Sequence, residues 1–255
     1  VGTPEPKVSA IVVARDEEET IASCLRSIYW ADERIVVVDA ETRDKTAEVA
    51  RPLATEVIVR EWEGFAGSKR FAVSLARHPW ILWIDADEEV DPVLAESIRR
   101  AVRSPGGAAG FRVRRRNRYL GRIIRHGAWT DDRVVRLFLA EKGRLADRLV
   151  HESVVLDGPV GDLEGFLEHR SYRDLAHHWE KIGLMSRLWA EEAMRGGKRA
   201  GALDLIARPP IRFVKGFLFK AGFLDGRVGL VLAFMDAVYV GTKYARLLEI
   251  QGENR

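Results

Sequence analysis

The stretch Trp80–Val90, WILWIDADEEV, decides the fold class. Trp80–Ile84 is an unbroken apolar run, which reads as a strand buried on both faces. Two carboxylates, Asp85 and Asp87, follow where that strand runs out. Upstream the same signature recurs at Lys7–Ala14 (KVSAIVVA), Arg34–Val38 (RIVVV) and Glu56–Arg60 (EVIVR). Between these runs lie three segments of helical period, carrying Ile21, Leu25 and Ile28, then Ala47, Ala50 and Leu53, then Phe65, Lys69, Ala72 and Leu75. Asp91-Pro92 follows the fourth run as an N-cap with proline at the first helical position, and starts a helix toward Val102. Strand and helix alternating at this spacing predict an α/β fold of βαβ units around a parallel sheet, doubly wound.

Downstream, Ser104-Pro105-Gly106-Gly107 interrupts the alternation. Gly110–Arg116, Arg133–Leu139 and Leu149–Leu156 read as further strands of the same domain, with turns at Glu141–Gly143 and Asp157-Gly158-Pro159. Helical period returns with a capping-box-like start at Ser171 and Asp174, and one stripe runs Leu175, Trp179, Ile182, Trp189, Ala193 to a stop at Gly196-Gly197. Beyond Arg208-Pro209-Pro210 come two strongly apolar segments, Ile211–Leu224 and Val228–Leu248, joined by Asp225-Gly226. Three regions are therefore expected: 1–103 as the doubly wound half, 104–170 as further strands of the same domain, and 171–255 as a helical extension.

Composition narrows the class of protein. The 255 residues are 47% hydrophobic and 31% charged, the profile of a globular protein and not of a disordered or collagen-like chain. A single cysteine, Cys24, excludes an intrachain disulfide framework and a cysteine zinc site, and fits a reducing compartment. The opening VGTPEPKVSA lacks both an initiator Met and the profile of a signal peptide, so a cytoplasmic location is expected. The net charge of +3 conceals a gradient: −6 over residues 1–111, +3 over 112–194 and +6 over 195–255.

Ligands of an open α/β sheet bind beyond the carboxyl ends of its strands, so Asp85 and Asp87 face the expected crevice. Carboxylates at i and i+2 there can meet a hard divalent cation, Mg²⁺ or Mn²⁺, shared with substrate phosphates; alternatively they form a solvated loop capping the next helix. Arg15-Asp16-Glu17 follows the first strand and Asp39 the second, placed to accept hydrogen bonds from a base or a ribose hydroxyl.

VSAIVVARDEEETIASCLRSI (8–28), ADERIVVVDAETRDKTAEVA (31–50), EWEGFAGSKRFAVSLA (61–76) and WILWIDADEEV (80–90) resemble the nucleotide-binding half of the family-2 glycosyltransferases. RHGAWTDDRVVRLF (125–138), LVHESV (149–154) and the tail from Gly222 to Leu247 extend the resemblance, which is strongest to the lipopolysaccharide-core β-glucosyltransferase-like branch. It implies a Rossmann-like nucleotide-sugar fold of GT-A type, a UDP-sugar donor, a divalent metal and inversion at the anomeric carbon. It also implies that Glu17 and Asp39 contact the uridine, with Arg15 beside them. Lys69 would meet the nucleotide, and Asp85 and Asp87 the metal and ribose. The chain departs from the family where Asp16 replaces an Asn, where DAETRDKT (39–46) replaces a loop of small residues, and where Arg70 replaces an Asn.

Single-step inversion needs a base opposite the leaving group. Asp132 aligns with the acid of a GWYPD-type motif, Asp131 stands where that motif has Pro, and Glu152 and His151 lie further on; Asp132 is the first candidate, with Asp131 and Glu152 behind it. Seven arginines fall within the fourteen residues Arg112–Arg125, with no acid among them. They suit an anionic acceptor or the diphosphate, or a solvated strand face, and the run lacks the aromatic interleaving of a nucleic-acid site. The aromatic, lysine-bearing tail suits the plane of an anionic membrane, a buried hairpin or a homodimer contact, and has no run long enough to span. The expected activity is transfer of a hexose from a UDP-sugar to an envelope glycolipid or lipopolysaccharide core on the inner face of the cytoplasmic membrane. The alternatives are transfer to a polyprenyl phosphate, and an inactive nucleotide-sugar- or RNA-binding module.

Overall fold

The computed structural model describes residues 6–145 and 154–253. These divide into two units, one built from 6–115, 131–145 and 154–169, the other from 116–130 and 170–253.

The first unit opens with the expected alternation: β1 (Val8–Ala14), α1 (Ile21–Ser27), β2 (Glu33–Asp39), α2 (Thr46–Ala50), β3 (Glu56–Arg60), α3 (Gly64–Ser74) and β4 (Trp80–Asp85). β1 pairs in parallel with β2 and with β4, and β2 in parallel with β3. After β4 come the short β5 (Glu88–Val90), α4 (Pro92–Arg103), β6 (Gly110–Tyr119), β7 (Arg122–Ile123), β8 (Arg133–Leu139), the hairpin of β9 (Gly143–Leu145) and β10 (Val154–Leu156), and β11 (Val160–His169). The main sheet runs β3-β2-β1-β4-β8-β6-β11-β5, with β8 antiparallel to β4. The parallel half is thus extended by antiparallel strands from residues 110–169. The strand read at Leu149–Leu156 is seen only from Val154, and β11 is an addition to the sequence reading.

Strand alternation sorts the core into two layers. Ala10, Val12, Val36, Val38, Leu82 and Ile84 pack under α1, α2 and α4, whereas Ile11, Ile35, Val37, Ile81 and Trp83 face α3 and Val154. Both faces are covered, which is why these strands are apolar without interruption. Asp91 caps α4 by accepting from the Leu94 amide at 2.7 Å. β11 passes over this helix start so closely that a Cβ on Gly165 (φ +87°) would lie 2.3 Å from the Leu94 nitrogen, so no other residue fits there.

The second unit is helical. α5 (Leu175–Arg195) is capped by Asp174, whose carboxylate accepts from the His177 amide at 2.8 Å, and Gly196 closes it. The cap is therefore Asp174 itself, in place of the Ser171 start inferred from sequence. α6 (Ala202–Val214) runs straight through Pro209 and Pro210, which sequence pattern reads as a boundary. The carbonyls these prolines leave without donors belong to Leu205 and Ile206, both at exposed positions. A π-turn (Lys215–Phe219) and a 3₁₀ turn (Gly222–Asp225) lead into α7 (Gly226–Glu253). Among the described residues no helix is long and apolar enough to cross a membrane.

Candidate active site

The carboxyl ends of β1, β2 and β4 gather most of the residues singled out in the sequence. Asp39 ends β2 and is buried; its Oδ1 accepts from the Glu41 amide at 2.9 Å and its Oδ2 lies 2.9 Å from Arg15 Nη1. Arg15 also reaches Glu41, at 3.0 Å. Glu17 is half-buried and accepts from Thr20 Oγ1 at 2.7 Å. The loops after β1 and β2 are stitched together by carboxylates on amides: Arg43 N donates to Asp16 Oδ1 (2.7 Å), Glu18 N to Asp44 Oδ2 (2.9 Å) and Lys45 N to Glu18 Oε2 (3.0 Å). This accounts for two departures from the family pattern. Asp16 sits at φ +54°, a region that Asp tolerates as Asn does, and the charged 39–46 loop is held by these acids.

Asp85 lies at the centre of an alternating chain of charges. Lys69 Nζ stands 3.0 Å from its Oδ1 and 4.3 Å from the centre of the Trp83 ring, and Arg136 Nη2 donates to its Oδ2 at 2.6 Å. Burial alone would raise the Asp85 carboxyl, but Arg136 and Lys69 hold it well below the usual carboxylate range. Arg136 Nη2 also reaches Glu88 Oε1 at 2.7 Å, while Glu88 Oε2 accepts from the Asp85 amide at 2.9 Å. From Glu88, which is fully buried, Arg115 continues the chain: Nη1 at 3.4 Å from Glu88, then Nε and Nη2 at 2.8 and 2.7 Å from Asp132 Oδ2. Lys69, Asp85, Arg136, Glu88, Arg115 and Asp132 thus alternate in sign from the carboxyl end of β4 to the candidate base.

Asp132 is therefore gripped on one oxygen and partly exposed. Asp131 is mostly exposed, pairs with Arg133 at 3.0 Å, and sits at φ +57°. A proline, fixed near −65°, could not take that backbone, so the loop differs locally from one of GWYPD type. Glu152, with His151, lies outside the described residues. In the arginine run, Arg112 pairs with Asp162 at 2.9 Å and Arg115 with Asp132, so these two are neutralised by acids of the same unit.

Asp87 turns toward His169, the last residue of β11, with Oδ2 and Nε2 3.6 Å apart. Both of Asp85's oxygens are engaged by cations, so Asp87 and His169 fit a divalent ion better than the Asp85/Asp87 pair read from sequence. No group of three acidic, histidine or cysteine side chains that could hold a metal occurs among the described residues. Two protein donors suit Mg²⁺ or Mn²⁺ if substrate phosphate and water fill the remaining positions. Sequence reasoning missed His169 and Arg136, whose partners are distant in the chain.

Comparison with known proteins shows the family and the fold. The family described as "Glycosyl transferase family 2" matches residues 9–154. The "Lipopolysaccharide core biosynthesis glycosyltransferase LpsC" of Rhizobium meliloti (strain 1021) is 29% identical over 95% of this chain and 94% of its own length. A mannosyltransferase from Pyrobaculum calidifontis, solved with GDP-Man and Mn²⁺, superposes with a TM-score of 0.56 at 16% identity over 96% of this chain and 88% of that one. Glucosyl-3-phosphoglycerate synthase from Mycobacterium tuberculosis, solved with Mn²⁺, UDP and phosphoglyceric acid, gives 0.50 at 18% identity over 77% and 80%.

Proposed function

The chain belongs to glycosyl transferase family 2, and from that premise we propose that it moves a hexose, with inversion, from a UDP-sugar to a lipopolysaccharide-core or related envelope glycolipid acceptor at the inner face of the cytoplasmic membrane. Its GT-A fold supplies the crevice, and its similarity to a lipopolysaccharide-core enzyme supports the acceptor class. The observation that carries the reading is the arrangement at the strand ends, where a buried Asp39 and the Asp87–His169 pair bracket the charge chain through Asp85. Buried hydroxyl oxygens without a hydrogen-bond partner fall in the same region, at Thr42 Oγ1 and Ser68 Oγ. Such atoms are rare in a finished interior and fit a site completed by a ligand.

In this reading Glu17, Arg15 and Asp39 hold the uridine, and Asp87 with His169 would hold Mg²⁺ or Mn²⁺. When bound, that ion offsets the charge growing on the departing diphosphate. Asp85, kept ionised by Lys69 and Arg136, orders this end of the site. Asp132 acts as base. Arg115 fixes its Oδ2, leaving Oδ1 to take the proton of the acceptor hydroxyl as that oxygen bonds to the anomeric carbon and the bond to the diphosphate oxygen breaks. Asp131 and Glu152 stand behind it as alternatives.

Two measurements test this. UDP-sugars should raise the melting temperature only with Mn²⁺ or Mg²⁺ present, and Asp87→Asn should remove that rise. Asp132→Asn should lower transfer by about 10³-fold or more while UDP affinity stays within about threefold, since a base contributes to the reaction step and not to donor binding. Retained turnover in Asp132→Asn would overturn the base assignment, and no stabilisation by any UDP-sugar would overturn the donor.

A further inference from the structure

α6 is folded inside out. Its basic side faces α7: Arg212 Nη2 lies 2.9 Å from Asp236, the Arg208 guanidinium stands 5.0 Å from the Tyr244 ring, and Pro209 approaches Gly241. Its apolar side is left outward. Leu203, Ile206 and Ile211 are 80%, 70% and 62% exposed, and no residue of the helix is buried. The apolar surface continues past the helix through Phe219, 82% exposed, and the exposed Phe223 and Leu224. Pro210, Ile211, Val214 and Phe219, with Lys215, line an open hollow on it. An isolated helix in water turns its apolar stripe inward, so this one is arranged for a covering layer.

Charge selects what covers it. Lys215, Lys220 and Arg227 are exposed on the same stretch and have no salt-bridge partner among the described residues. The nearby acids are already taken, Asp204 by Arg208 and Asp225 by His126. The residues from 195 to 255 carry 11 basic and 5 acidic side chains. A second copy of this face would bring its own cations against these. A layer of anionic headgroups over acyl chains complements both features, taking the lysine and arginine heads at phosphate level and the phenylalanines and aliphatic residues below.

We propose that α6, the π-turn after it and the 3₁₀ turn form the surface by which this protein lies on an anionic lipid bilayer, with Leu203, Ile206, Ile211, Phe219, Phe223 and Leu224 inserted. The proposal deepens the functional reading and rests on it for its purpose, since a lipid-borne acceptor is met in that plane, but the two fail separately.

Cosedimentation of the full chain with phosphatidylcholine vesicles, with and without phosphatidylglycerol, tests it. The expected result is binding to the anionic vesicles, weakened by salt, with little binding to phosphatidylcholine alone. Ile206→Asp with Phe219→Asp should lower the bound fraction about tenfold or more, and so should Lys215→Glu with Lys220→Glu. All four positions are exposed, so melting temperatures should stay at the unsubstituted value. No binding to anionic vesicles at low salt would overturn the proposal, as would equal binding by both double variants. A dimer in analytical ultracentrifugation that the apolar double variant dissolves, without lipid binding, would assign the face to a second copy. Metal-dependent stabilisation by UDP-sugars, measured on the same samples, separates the readings: its absence counts against the donor and leaves the surface result standing.

Discussion

In the first unit the charges lie inside and the apolar residues are covered; in the second, α6 turns its charges inward and leaves its apolar side bare. Among the described residues, five large hydrophobic side chains of the first unit are exposed against fourteen of the smaller second unit. The first unit buries Lys69, Glu88 and Arg136 in one alternating chain, whereas the buried polar groups of the second are mainly neutral partners, such as Tyr119 with His178 at 2.8 Å. Ion pairs cost desolvation and are retained where a charged ligand or a developing charge needs a fixed field. Bare apolar surface is retained where something apolar covers it. The contrast therefore fits the two proposals, a charged donor held by the first unit and a lipid layer met by the second.

The strongest way to break that contrast is to remove the hub of the charge chain. Arg136→Met should cost about 3–5 kcal/mol, because Glu88 remains buried with a single cation, Arg115 at 3.4 Å, beside its hydrogen bond from the Asp85 amide. The matching change in the second unit, Arg212→Met, should cost less. Burial already raises the Asp236 carboxyl, so without Arg212 it can take up a proton, and Trp129 still donates to it at 3.2 Å. Urea denaturation of both variants measures the difference. Adding Glu88→Gln to Arg136→Met should recover part of the loss, and strict additivity would mean that the chain of pairs is not a coupled unit.

A smaller effect separates the units by pH. Burial, with His177 and Lys181 nearby, lowers His178 to about 4. The folded second unit therefore binds fewer protons than the unfolded chain between that value and about 6.5. Stability associated with His178 is complete above about pH 6.5 and is lost as pH falls toward 4, amounting to up to about 3 kcal/mol. In the first unit Asp85 is also shifted down, below the usual carboxylate range, but there it is the charged form that is favoured, so its contribution persists above about pH 4 and fails only in stronger acid. Hydrogen exchange between pH 7 and 4.5 should show helices α5 and α7 opening before β1, β2 and β4. His178→Gln should flatten that dependence, and an unchanged pH profile in this variant would place the acid sensitivity elsewhere.

These same features mark what sequence could and could not show. The parallel strands were legible because strands covered on both faces must be apolar throughout, and Asp85, Asp87, Asp39 and the Asp91 cap because they sit at the strand ends or just beyond them. Arg136 was not, since a charge inside a strand reads as solvated until its partner Glu88, 48 residues away, is placed. His169 was hidden for the same reason: it reaches Asp87 through the pairing of β11 with β5, a contact no local pattern specifies. The outward stripe of α6 was not legible either, because Pro209-Pro210 masked the helix and the apolar segment was read as starting only at Ile211, and spacing does not say which side of a helix its neighbour covers.

The smallest expected effect concerns the rim of the proposed donor site, at the charged 39–46 loop. Glu41 is exposed and its bond to Arg15 is shared with solvent, while Asp39 holds the same guanidinium from a buried position. Exposed pairs contribute about 0–1 kcal/mol, so Glu41→Ser, which restores a small residue to the loop, should leave the melting temperature nearly unchanged. Arg15 remains tied to Asp39, and UDP-sugar affinity by calorimetry should change less than about threefold, or about 0.7 kcal/mol. A larger loss would move Glu41 from the solvated rim into the donor site. The charged 39–46 loop would then be part of how this enzyme selects its sugar, and the division between a charged interior and a passive rim would no longer hold within the first unit.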